Sequence, residues 1–146
     1  MHKLLVCLLF SNVVSQQIYN YYEFAVQKWC SDSYMIHGLW PQIDSENYPT
    51  YCEDVEYIEP IGELLQSMET YWQGCDDSLW SHEWEKHGSC MKRQNNITEN
   101  DFFNITLELF DSYKYLINEN CINEDDNCIM CCFDLDFKLI EIFDTV

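Results

Sequence analysis

The run WSHEWEKHGSC, residues 80–90, places two histidines, two glutamates and a lysine within six consecutive positions, 82–87. The chain holds four histidines in 146 residues, and two of them stand here. On an α-helix successive side chains turn by about 100°, so residues four apart share a face. That pairs His82 with Lys86 and Glu83 with His87. His82 and His87 are five apart and are expected to diverge by about 140°. The helical zinc motif H-E-x-x-H needs histidines four apart, and H-E-x-x-x-H does not supply them. The segment instead builds a wall carrying a carboxylate, an ammonium and imidazoles. Trp84 is expected to anchor the opposite side in the core, and Gly88 to stop the helix.

A third histidine, His37, lies in SYMIHGLWP, residues 33–41, which reads as a strand ending at Gly38 and Pro41. The fourth, His2, falls in the first residues, so the remaining histidines occupy two short segments. Imidazole gives and takes protons near neutral pH better than any other side chain. A lone histidine is usually structural, and a charged helix face is usually only solvated. Two segments that each bring a proton carrier are what an acid–base mechanism needs, provided the fold unites them.

The rest of the sequence bounds the setting. One domain fits the length. Apolar residues make up 47% and aromatics 16%, enough for a packed core. Twenty-six acidic residues against seven basic ones give a formal charge of −19. That argues against long-range attraction to nucleic acid or anionic membrane, so a polyanion must be held by a local cationic pocket. Residues 1–15 read as a secretory signal, with the apolar run LLVCLLF too short to span a bilayer. Residues 16–146 then form one domain, with no membrane contact after signal removal. Eight cysteines remain beyond Cys7, an even number that implies disulfides in an exported chain. Cys128-x-x-Cys131 has no matching second zinc knuckle. Asn96-Ile-Thr98 and Asn104-Ile-Thr106 are glycosylation sequons.

Hydrophobic periodicity predicts a strand within residues 17–30 and a helix over 61–72. It predicts a second helix over 98–117, opened by a Thr98/Asp101 cap. Residues 118–127 read as an acidic loop, and 127–143 as one or two strands with a turn near 134–136. The class is α+β, a small antiparallel sheet flanked by helices.

IHGLWP (residues 36–41) and HEWEKHGSC (82–90) together resemble the two active-site signatures of the T2 ribonuclease family, in the family's order. YYEFAVQKWC (21–30) is similar to its first strand and CCFDLDFKLIEI (131–142) to its last hairpin. The resemblance implies a secreted or vacuolar endoribonuclease that cleaves RNA through a 2′,3′-cyclic phosphate. It implies His87 as general base, His37 as general acid, and Glu83 and Lys86 as stabilisers of the transition state. His82 would bind phosphate, and Trp40 and Tyr48 would stack on bases. No metal or cofactor is implied, because RNA supplies its own nucleophile, and the protein would act as a monomer. Glu83 is expected to raise the histidine pKa values by opposite-charge attraction, and the optimum is expected to be acid. The resemblance also implies a Cys52–Cys90 bridge and leaves Cys30 and Cys75 to pair. Pairing among Cys121, Cys128, Cys131 and Cys132 stays open.

This chain departs from the family pattern at Gln42 and at Leu79, and it is shorter between Met91 and Ile129. Two other readings remain: a secreted, catalytically weak RNA- or partner-binding relic of the same fold, and a metal-dependent hydrolase.

Overall fold

Aromatic and β-branched residues in YYEFAVQ favour an extended chain, and they form strand β1 (Tyr21–Gln27) of a computed structural model. The structure describes residues 17–28, 30–115, 122–125 and 128–140. The expected signal, Cys7 and Cys121 lie outside them. β1 pairs antiparallel with β2 (Met35–Gln42) on one side and with β4 (Cys128–Phe133) on the other. β4 also pairs with β3 (Ile122–Asp125) and with β5 (Leu139–Ile140), giving five antiparallel strands in the order β2-β1-β4-β3, with β5 on β4.

Two expectations about the sheet change. β2 runs through Gly38 and Pro41 to Gln42 instead of ending there. It is an edge strand, where a missing proline N–H removes no ladder bond. Part of the expected acidic loop pairs as β3, because a neighbouring strand satisfies its backbone despite a weak side-chain pattern. The expected turn after β4 is closed by Asp134, whose N–H donates to Lys138 O at 2.9 Å.

The β1–β2 ladder steps from Ala25–Gly38 directly to Val26–Ile36, passing over His37. This is a β-bulge, one extra residue on β2. It resets the alternation, so Ile36 and Leu39, three apart, are both fully buried in the core. His37 and Trp40, also three apart, accordingly share the opposite face, with ring centroids 5.0 Å apart.

Helices cover the core face. α1 (Gly62–Tyr71) buries Met68. α4 (Glu99–Tyr113) opens with the expected capping box, in which Asp101 N–H donates to Thr98 Oγ1 and Thr98 N–H donates to Asp101 Oδ2. Such a cap contributes about 1 kcal/mol. Its buried face carries Phe102, Phe103, Thr106, Leu109 and Phe110. Trp72, just past α1, is fully buried and packs on Phe102 and Phe103.

The segment around residue 84 departs furthest from expectation. α2 (Leu79–Glu83) passes into a π turn over Trp84–Gly88 and on into α3 (Ser89–Asn95). Gly88 therefore does not end the helix. Its missing side chain makes room for the Trp84 ring, which a Cβ at residue 88 would penetrate. Trp84 is buried as expected, and its Nε1–H donates to Glu56 O.

Cys52–Cys90 and Cys30–Cys75 are bonded. Cys131 is also disulfide-bonded. Cys132 is a thiol.

Candidate active site

A π turn closes residue i onto i+5, whereas an α turn closes i onto i+4. Ser89 N–H accordingly donates to Trp84 O. The extra residue rotates His87 back toward His82, and their ring centroids lie 6.5 Å apart. The expected 140° divergence is thus removed, because the segment is not a regular α-helix. One inserted residue in the strand and one in the helix turn the two histidine-bearing segments toward each other.

They meet at a cavity of about 330 Å³ lined by His37, Trp40, Tyr48, His82, Glu83, Lys86 and His87. All seven catalytic and base-stacking candidates from the sequence therefore converge. Trp40 stands between the two principal imidazoles, 5.0 Å from His37 and 5.6 Å from His87 by ring centroids. Trp40 Nε1–H donates to Glu83 Oε2 at 2.8 Å, and Glu83 Oε1 lies 3.7 Å from His37 Nε2. Gly38 lets this carboxyl approach, since a Cβ there would overlap Glu83 and the Trp40 indole nitrogen. Behind the site, Trp80 Nε1–H donates to Trp72 O and Trp72 Nε1–H donates to His37 O. The bulged residue is therefore held from its own backbone.

Residues 43–51 form the outer wall. Asp44 Oδ1 accepts from Glu46 N–H and Asn47 N–H, closing a tight turn. Tyr51 N–H donates to Lys86 O at 2.9 Å, and Cys52 is bonded to Cys90. Cys52 N–H also donates to Ser89 Oγ, and Arg93 donates to Cys52 O. The loop bearing Tyr48 is thus clamped to the helix bearing His87. Tyr48 is half-exposed, with Lys86 Nζ 5.7 Å from its ring centroid.

Burial governs the protonation states. Glu83 is 1% exposed, and desolvation pushes its pKa up to about 8, against the opposing pull of the Trp40 hydrogen bond and Lys86. Desolvation pushes His37 down to about 4, helped by His82 and Lys86. It pushes His87 down to about 3, helped by Lys86, His82 and His37. The expectation that Glu83 raises the histidine values is overturned. A carboxyl this buried stays protonated near neutrality and exerts no anionic pull.

The cavity has further walls that sequence reasoning missed: Glu23, Gln42, Ser45 and Glu46. Gln42 stood out only as a departure from the family pattern. It is buried, and its Nε2 donates to Glu23 Oε2 at 3.0 Å. A carboxylate within the aromatic strand YYEFAV was the available signal for Glu23. A larger hollow of about 580 Å³ elsewhere carries Glu59, Glu69, Asp76 and Asp77 and no cation. Among the described residues no three His, Cys, Asp or Glu side chains gather as a metal ion would require. Among them, too, no helix is long and apolar enough to cross a membrane.

Three imidazoles, a protonated buried carboxyl and an ammonium line one small cavity, a set of groups able to exchange protons and to meet an anion. The chain belongs to the Ribonuclease T2 family, whose model matches residues 6–126. It is 34% identical over 125 residues to ribonuclease M of Aspergillus phoenicis, covering 66% of this chain and 51% of that protein. It is 41% identical over 73 residues to ribonuclease Trv of Hypocrea rufa, covering 42% and 31% respectively. The chain thus spans about half or less of the length of these relatives. The self-incompatibility-associated SF11-RNase of Nicotiana alata has the same fold, with a TM-score of 0.65 at 18% identity, over 88% of this chain and 94% of that one.

Proposed function

We propose that this protein is an endoribonuclease that cleaves single-stranded RNA by transphosphorylation, with little base specificity. The observation that carries this reading is the convergence of His37 and His87 on one cavity with Glu83 and Lys86. His87 takes the proton from a ribose 2′-hydroxyl, and the freed oxygen attacks the adjacent phosphorus. His37 gives its proton to the departing 5′-oxygen, leaving a 2′,3′-cyclic phosphate. The phosphate gains negative charge on the way, and donors fixed in advance are worth most there. Lys86 supplies one. Glu83, protonated by burial, supplies a neutral one, and His82 binds the phosphate. Trp40 and Tyr48 offer flat aromatic surfaces, and stacking tolerates any base.

Secretion, or residence in an acidic lumen, is part of the proposal. Residues 1–15 serve as the signal, and 16–146 act as one monomeric domain. The Cys30–Cys75 and Cys52–Cys90 bridges support an oxidising compartment. The test is incubation of the oxidised protein with RNA and EDTA. Cyclic-phosphate ends are expected, and His37→Ala or His87→Ala should slow cleavage by about two to four decades. Wild-type rates in either variant remove that residue from the mechanism.

A further inference from the structure

We propose that the cavity's acidic rim makes this enzyme select short oligoribonucleotides over long RNA, and that added salt relieves the discrimination. The inference rests on the ribonuclease reading and refines its substrate class. Besides the imidazoles, the cavity offers one cation, Lys86, and two carboxylates on its walls, Glu23 and Glu46. Glu23 is held in place by the Gln42 amide. Asp44 stands two residues from Glu46, and Asp54 and Glu85 line the hollow beside Tyr51. Of the five other described lysines and arginines none lines the cavity, and four have partners of their own. Lys92 lies 3.7 Å from Glu53, Lys114 pairs with Asp111, Lys28 sits over the Tyr34 ring, and Arg93 donates to Cys52 O.

The site is therefore equipped to neutralise one phosphate, the scissile one. Neighbouring phosphates fall within a screening length, about 8–10 Å near physiological salt, of the rim carboxylates. They meet a chain of formal charge −19. A protein that tracks the RNA backbone with lysines and arginines binds less tightly as salt rises, because counterions were released on binding. Here each additional phosphate adds repulsion, so the dependence has the opposite sign. A dinucleoside monophosphate, which carries only the scissile phosphate, escapes most of it.

The experiment, run at pH 7 where the formal charge of −19 applies, measures kcat/KM for a dinucleoside monophosphate and for a long single-stranded homopolymer from about 0.01 to about 0.15 M NaCl, over which the screening length falls from about 30 to about 8 Å. The ratio of polymer to dinucleoside kcat/KM is expected to climb several-fold. Glu46→Gln should raise that ratio about twofold at low salt, the effect of one charge at about 8 Å in water, and the gain should fade as salt is added. Glu46→Lys should raise it about fourfold by the same arithmetic. A polymer kcat/KM that falls with salt, or a ratio indifferent to both Glu46 variants, overturns the inference. If neither substrate is cleaved at any salt, the ribonuclease reading fails and this one falls with it.

Discussion

Replacing Glu83 by glutamine should stabilise the protein at neutral pH while reducing its activity. Glu83 is 1% exposed, and its pKa is pushed up to about 8 in the fold from the ordinary carboxyl value of 4.5. Below 4.5 the group is protonated in both folded and unfolded chains and costs nothing. Between 4.5 and 8 the unfolded chain gains by ionising and the folded one cannot follow, so stability drains away as pH rises. At 1.36 kcal/mol per pKa unit the loss is about 3 kcal/mol at pH 7 and approaches about 5 kcal/mol above pH 8. Glutamine has nearly the same shape, keeps an oxygen for the Trp40 N–H, and does not titrate. Urea unfolding of both proteins at pH 4, 6 and 8 reads the difference directly. The two curves should nearly coincide at pH 4 and separate in favour of Glu83→Gln as pH rises. RNA cleavage by the same variant should drop, since the amide is a weaker donor than a carboxylic acid. A stability difference that stays flat within about 0.5 kcal/mol across that range would show Glu83 to titrate alike in both states, and the neutral-donor role would have to be abandoned.

Other outcomes follow from the same geometry. The proposed mechanism needs His87 neutral, which holds above about pH 3, and His37 protonated, which holds below about pH 4. The kcat/KM profile should therefore be a bell on the acid side, and an optimum above pH 8 would contradict the assignment. Gly38→Ala drives a methyl group into the Glu83 carboxyl. It should cost about 1–3 kcal/mol by overpacking and lower kcat, as thermal melts and rate measurements would show. Breaking Cys52–Cys90 by Cys52→Ala with Cys90→Ala opens a loop with a sequence separation of 38. The chain-entropy relation puts the cost near about 4 kcal/mol, measurable by denaturant unfolding. KM should rise as well, because Tyr48 loses its clamp to the helix bearing His87.

Much of this was legible in the sequence. The strand before Cys30, the helices after Ile61 and Thr98, and the hairpin around Asp134 each carry their own periodicity or cap. The catalytic candidates and Trp40 were named from two short motifs, and Tyr48 from its position between them. What escaped were features whose cause lies in pairing and packing. The β-bulge at His37 is visible only in the offset between Ala25–Gly38 and Val26–Ile36. The π turn defeated a face argument that assumes constant twist. Its trace in the sequence was the five-residue separation of His82 and His87 itself, a spacing that meets on one face only if the helix widens. The pKa directions were misread for a related reason. Sequence places Glu83 beside histidines but does not reveal that β2 and Trp40 seal it from water. β3 was lost to its own composition, since acidic and amide residues weigh against a strand until a partner supplies the ladder.

The bulge and the π turn also bear on how a decayed copy of this protein would look. Each works as a one-residue spacer that resets the phase of everything beyond it. A descendant that retained every imidazole, the buried carboxyl and the lysine, but dropped one position from either stretch, could still assemble the sheet and helices with its proton carriers aimed apart. Checking residue identities would pass such a chain as intact. The length of these two segments is the more sensitive marker of whether the machinery still closes.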